Sequence, residues 1–175
     1  SLRLSAMANN VLSLTRVESQ TILTDVTRFN LSEQIRGAAL LLAEKWTPKN
    51  ISMEMQFGEQ LISANEELLK QVWINLLDNA IKFSRPNGTV SVDISEEGAW
   101  ITVSVANQGK DIPKDRITHI FNKFYQADES HFSEGNGIGL AVVKKVCELH
   151  NGRVFAKSED GTTTFTVLLP KQQKA

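Results

Sequence analysis

The sequence contains one cysteine, almost no net charge and no apolar run near the roughly 20 residues that a membrane-spanning helix needs. Each shortage closes a class of function. Cys147, alone, forms no internal disulfide, which fits a reducing compartment, and its place in an apolar helical run makes it a small core residue. Lys and Arg number 19 against 20 Asp and Glu, so no bulk positive field recruits nucleic acid or an anionic membrane. Any anion site must be local. No signal peptide is visible, so we expect a cytoplasmic chain, or the cytoplasmic part of a protein anchored upstream. The GxxxxGK[ST] phosphate loop and the HRD and DFG motifs of protein kinases are also missing. With 175 residues, one sizeable core is expected.

Periodicity supplies the architecture. Leu4, Met7, Val11 and Leu14 form an a/d stripe, which predicts a helix from Ser1 to about Gln20. Two heptads are too few for a stable coiled coil, so this stretch reads as the cut end of a helical element with an exposed stripe for a partner. "DVTRFN" predicts a short strand, and Ser32 with Glu33 and Gln34 opens a helix that runs to about Lys45, where "TPKN" stops it. "ISMEMQF" alternates as a strand. "SANEELLKQVWINLLDNAIKFS" predicts one long helix that buries Leu68, Leu69, Val72, Trp73, Leu76, Leu77, Ala80 and Ile81. After the turn "RPNG", "TVSVDIS" and "WITVSVAN" make a hairpin; helical turns around "DRITHIFNKF" follow, and "GRVFAKS" and "TTTFTVLLP" are two closing strands. The expected fold class is α+β, a two-layer sandwich of one mixed sheet covered on one face by helices.

On the long helix Asn75, Asn79 and Lys82 stand at i, i+4 and i+7, on the face opposite the leucines. Asparagine is a mediocre helix former, so two of them inside a well-patterned helix cost local stability. Their amide oxygens suit a hard cation such as Mg²⁺ shared with nucleotide phosphates, and Lys82 suits the phosphates themselves. A solvated polar face is the other reading of this helix alone. In "EGNGIGLAVVKKV", Gly135, Gly137 and Gly139 give backbone N–H groups room to approach an anion at the start of a helix. This is not the dinucleotide fingerprint, because Leu140 stands where Gly or Ala is required and the preceding "QADESHFSEG" is too polar for a buried strand. A flexible helix entry is its bland explanation.

Four ordered motifs together resemble the nucleotide-binding domain of bacterial sensor histidine kinases, within the superfamily that includes DNA gyrase and heat-shock chaperone ATPases. "NLLDNAIKFS" looks like the N box, "VANQGKDIP" the first glycine box, "FNKFYQAD" the F box and "GNGIGLAVVKKVCELHNG" the second glycine box. The likeness covers nearly the whole chain and implies a Bergerat-type ATP-binding fold, with ATP and Mg²⁺ as ligands. It assigns Asn75 and Asn79 to Mg²⁺ and phosphate, Lys82 to phosphate, and Phe83 to a place beside the nucleoside. Asn107, Gly109 and Ile112 of the first glycine box and Leu140 of the second would line the nucleotide. Phe121 and Phe124 would anchor a lid over residues 126–136, although at i, i+3 both are expected in the core whatever the function. Gly135, Gly137 and Gly139 would let that lid approach the triphosphate.

The resemblance also divides the chain. Residues 1–20 resemble the end of a dimerisation and phosphotransfer helix, 21–30 a linker and first strand, 31–170 the catalytic domain and 171–175 a tail. It implies as partners the protein's own dimerisation domain and a response regulator receiver domain, with a homodimeric parent and a monomeric fragment. ATP-hydrolysing relatives usually carry Glu where Asn75 stands; a neutral amide cannot take a proton from water, which favours transfer to a protein nucleophile. His119, His131 and His150 fit no acceptor pattern of the HELRTPL kind, so each is read as structural or solvent-facing and the acceptor as upstream. Alone, the chain is expected not to label itself.

Two residues depart from the motif. Asn107 replaces an Asp that accepts from the adenine amino group, which costs charge assistance on the order of 1 kcal/mol. Asp111 replaces a glycine, where a side chain is expected to crowd the nucleotide or strain the turn. The alternative function is therefore a degenerate nucleotide-binding or regulatory scaffold with weak kinase activity or none.

Overall fold

The computed structural model describes residues 14–125 and 138–174. A helical stretch over residues 14–18 (α1) leads to β1 (Val26–Asn30), α2 (Leu31–Leu41), α3 (Ala43–Trp46), β2 (Ser52–Met55) and β3 (Leu61–Asn65). Then come α4 (Glu66–Phe83), β4 (Thr89–Glu97), β5 (Trp100–Gln108), α5 (Lys114–Ile117), α6 (Gly139–Leu149), β6 (Arg153–Glu159) and β7 (Thr162–Pro170). Five strands form one mixed sheet in the order β2-β4-β5-β7-β6, parallel only between β2 and β4.

Strand periodicity decides which face is covered. Ile101, Val103 and Val105 of β5 pair with Leu169, Val167 and Phe165 of β7, and all six are buried on the same side. Val90 and Val92 extend that side into β4. Against it lie the eight residues expected on the buried stripe of α4, together with Val142, Val143 and Val146 of α6. The fold is α+β as expected, with α4 and α6 side by side on one face of the sheet and α2 against α4.

The structure corrects three boundaries. "LISAN" is the strand β3, not the start of the long helix, and it pairs antiparallel with β1 in a second, two-stranded sheet. Asn65 ends that strand with an extended backbone while its side chain accepts the Leu68 N–H at 2.9 Å, so one residue closes a strand and caps a helix. Asn30 does the same for α2, accepting from the Glu33 N–H at 3.0 Å, so the helix starts at Leu31. Ser32, expected to open it, is buried and donates to the Gly58 carbonyl at 2.6 Å. That helix also breaks at Leu42, restarting as α3.

Both flanks are tied down. Leu14, expected on an exposed stripe, is buried with Val17 in the common core; Leu4, Met7 and Val11 lie outside the described residues. The tail adds to β3, where the Ser63 N–H donates to the Lys171 carbonyl and the Gln173 N–H to the Ser63 carbonyl.

His150 is the buried junction of these parts. Its Nε2 accepts the Asn65 N–H at 3.2 Å and its Nδ1 donates to the Val146 carbonyl at 2.8 Å, an arrangement open only to the neutral ring. Burial lowers its pKa, with the Val146 bond opposing the shift. In the unfolded chain His150 takes up a proton as the pH falls through about 6.5, while the folded form resists. Stability from this group is therefore present above that pH and is lost as the pH drops towards the folded pKa. Urea midpoints should fall between pH 7.5 and 5.5, and the fall should shrink in His150→Leu; an identical fall in both would exclude the effect. Cys147 is buried beside it, its thiol pushed up to about 12 by burial and then by Glu148, so it is unreactive in the folded chain.

Candidate functional site

The asparagine face is built by α4. Asn75 is half-buried and donates from Nδ2 to the Gln71 carbonyl at 2.8 Å, which turns Oδ1 away from its own helix. A Cβ at Gly139 would lie 2.6 Å from that oxygen. Glycine is therefore what lets the first residue of α6 meet the asparagine wall. No side chain caps α6 and no acidic residue occupies its first turn, so the positive end of its dipole opens beside Asn75. The side chain of Asn79, one turn further, makes no hydrogen bond to another described residue. Lys82 lies 4.0 Å from Asp78, which also pairs with Lys45 at 2.8 Å.

The first glycine box meets the end of the same helix. Phe83 is the last residue of α4 and is 38% exposed. A Cβ at Gly109 would fall well inside van der Waals contact distance of the Phe83 carbonyl oxygen, so only glycine fits there. The Gly109 N–H donates to the Gly161 carbonyl and the Arg85 N–H to the Gln108 carbonyl, both at 2.9 Å. Asn107 is buried beneath this turn on the covered face of β5. Asp111 corrects the expectation of a strained turn: its Oδ1 accepts the Gly161 N–H at 2.9 Å, and its backbone is not left-handed. Ile112 packs on the core, its N–H donating to Ser158 Oγ at 2.8 Å.

The F box splits. Phe121 packs edge-on against the core residue Phe165, with ring centroids 6.0 Å apart. Phe124 is 69% exposed at a left-handed φ of 63°, so it does not belong to the core. The chain has left α5 at Ile117, and helical spacing no longer governs where Phe124 points. Leu140 is half-buried against the core. Gly135, Gly137 and residues 126–136 of the expected lid lie outside the described residues except as sequence. His119 is exposed.

Amide oxygens that suit a hard cation and a lysine that suits its phosphates lie along one face of α4, with the N-terminus of α6 against Asn75. No cluster of three His, Cys, Asp or Glu side chains exists among the described residues, so any cation would take the remainder of its ligands from phosphate and water. A groove of about 590 Å³ between Ile22, Glu148 and Gln173 lies at the far end of α6 and contains none of these residues. Sequence reasoning missed Lys49, which grips the end of α4; its place in the helix-stopping "TPKN" gave no signal. No helix among the described residues is long and apolar enough to cross a membrane.

The site has known relatives. Residues 64–173 match the family described as histidine kinase-, DNA gyrase B- and HSP90-like ATPases. The chain is 34% identical over 173 residues to the circadian input-output histidine kinase CikA of Synechococcus elongatus, across 95% of this chain and 23% of that protein. It is 30% identical over 171 residues to the sensor protein VanS of Enterococcus faecium, across 96% and 44%. The chain thus spans less than half the length of these curated relatives. The nucleotide-free catalytic domain of histidine kinase ThkA superposes with a TM-score of 0.76 at 30% identity, over 85% of this chain and 97% of that one. Full-length ShkA in complex with AMPPNP superposes with a TM-score of 0.84 at 27% identity, over 98% of this chain and 36% of that one. With its N box helix set against the second glycine box, the chain belongs to the histidine kinase-, DNA gyrase B- and HSP90-like ATPase family, and the relatives it resembles are sensor histidine kinases.

Proposed function

We propose that this chain is the ATP-binding catalytic domain of a two-component sensor histidine kinase. In that role it transfers the γ-phosphoryl group of ATP to a histidine on its own dimerisation domain, for relay to a response regulator. The observation that carries the reading is the meeting of Asn75 with Gly139, which sets the N box and second glycine box face to face. A solved complex of ThkA with the response regulator TrrA supports the partner class by likeness, at 27% identity.

The chemistry asked of the chain is positioning and charge neutralisation. The acceptor imidazole nitrogen forms a bond to the γ-phosphorus while the bond from that phosphorus to the β,γ-bridging oxygen breaks, and ADP leaves with the electron pair. Asn75 and Asn79 supply neutral oxygen ligands, Lys82 a positive charge near the phosphates, and the N-terminus of α6 its dipole. A bound Mg²⁺ would neutralise charge on the phosphate oxygens. Asn75 cannot deprotonate water, so hydrolysis lacks a base at that position.

The test is transfer. Radiolabelled ATP and Mg²⁺ should label a supplied dimerisation domain in an acid-labile form and leave this chain alone unlabelled. Steady phosphate release without transfer would make it an ATPase, and binding without transfer would support the scaffold reading.

That second reading rests on Asn107. The amide is buried, and in this reading it would meet the base without the charge of a carboxylate. Asn107→Asp should tighten Mg²⁺·ATP about fivefold, the equivalent of one charge-assisted hydrogen bond in place of a neutral one. Titration of both proteins with a fluorescent ATP analogue measures this, and equal affinities would mean that the base does not reach residue 107.

A further inference from the structure

We infer that Lys49 is a positioning residue of the nucleotide site. The inference deepens the proposed function and rests on it. Lys49 stands in the loop between α3 and β2, far from every motif in the sequence. Its Nζ donates to the carbonyls of Ile81 at 2.8 Å, Lys82 at 3.2 Å and Ser84 at 2.8 Å. These belong to the end of α4, where carbonyls lack intrahelical donors and the dipole is negative. One ammonium thus saturates three acceptors with its three protons and adds a charge of favourable sign.

The carbonyl of Phe83, in the same turn, explains why the grip bears on the site. Lys49 holds those of residues 81, 82 and 84, and the carbonyl of Phe83 is the one against which Gly109 packs with no room for a Cβ. The ammonium therefore sets the rotation of the last turn, which presents the Phe83 oxygen to the first glycine box and projects Lys82 and Phe83 from fixed backbone. The grip is reinforced from the other side: the Asn87 N–H donates to the Lys49 carbonyl at 2.9 Å, and Asn50 Nδ2 to Asn87 Oδ1 at 2.7 Å. Asn50 and Asn87 both have left-handed backbones, with φ of 54° and 62°, so the two turns that frame Lys49 are shaped around this contact. Lys49 touches no nucleotide atom in this account. It acts through α4.

The experiment compares the wild type, Lys49→Met, Lys49→Arg and Ile62→Val, the last a small core trimming in β3 that lowers stability away from the site. The readouts are affinity for a fluorescent ATP analogue with Mg²⁺ and amide exchange at Arg85 and Gly109. Lys49→Met keeps the aliphatic stem and loses the donors. It should weaken binding roughly tenfold and speed exchange at both amides. Lys49→Arg should restore affinity to within about threefold, since guanidinium also offers several donors. Ile62→Val should bind as the wild type does. Wild-type affinity in Lys49→Met overturns the inference alone, as does a loss of affinity with unchanged exchange at Arg85 and Gly109, or an equal loss in Ile62→Val. A wild type that binds no nucleotide ends the proposed function and this inference with it, and is told apart because the defect then precedes any substitution.

Discussion

Asn79→Ala is expected to lower Mg²⁺·ATP affinity by about a hundredfold, or to abolish detectable binding, while raising the melting temperature slightly. The two effects have opposite signs for separate physical reasons. Asparagine costs about 0.6 kcal/mol relative to alanine inside a helix, and the Asn79 side chain makes no hydrogen bond to another described residue that would offset this. Its removal therefore leaves the fold intact or firmer. The same amide is the least committed polar group on the site face of α4, whereas Asn75 is already tied to Gln71. Loss of a cation ligand together with its phosphate contact is worth about 3 kcal/mol. Thermal melts with and without Mg²⁺·ATP measure both quantities in one experiment. A variant that is destabilised, or that still shows the wild-type ligand-induced shift, would mean that Asn79 serves packing.

Gly109→Ala should destabilise the chain by about 3 kcal/mol, read as a melting temperature lower by about 10 °C. The added methyl would overlap the Phe83 carbonyl oxygen, which is backbone and cannot rotate aside. Relief requires the end of β5 to part from the end of α4, and that movement carries Asn107 away from Lys82. Nucleotide affinity should fall with stability. Gly37 gives the opposite sign: it lies inside α2 with nothing within 4 Å of an added Cβ, so Gly37→Ala should raise stability by about 0.8 kcal/mol. Equal and small changes at the two positions would show that the Gly109 turn yields freely.

These contrasts mark what a linear reading detects. The buried stripe of α4 and the alternation of β5 and β7 were legible because period 3.6 and period 2 write burial directly into the order of residues. The asparagine face was legible because two mediocre helix formers at i and i+4, opposite that stripe, stand in mid-helix at a cost. "LISAN" was not, because five residues become a strand only through β1, some thirty-five positions earlier in the pairing of Arg28 with Ser63. Its boundary had a local signal all the same: Asn65 followed by Glu66 and Glu67 is a cap followed by an acidic first turn. Asp111 misled because its partner, Gly161, lies fifty residues away. Phe124 misled because a left-handed residue sets its direction, and the sequence around it carries no glycine to announce one. Lys49 was invisible for the same reason as Asp111, since its three acceptors come from another element.

The strand β3 has a further meaning for how such a unit is mounted. Residue 24, where the polypeptide reaches the strands, bonds through its carbonyl to Asn65 Nδ2, and residue 173, where it leaves them, bonds to Ser63. Doorway and exit are neighbours. Both sit at the start of α4 and at the finish of α6, and Asn79 is about 20 Å from there along the helix axis at 1.5 Å per residue. Whatever adjoins these flanks therefore meets the body at one corner and leaves the opposite corner clear.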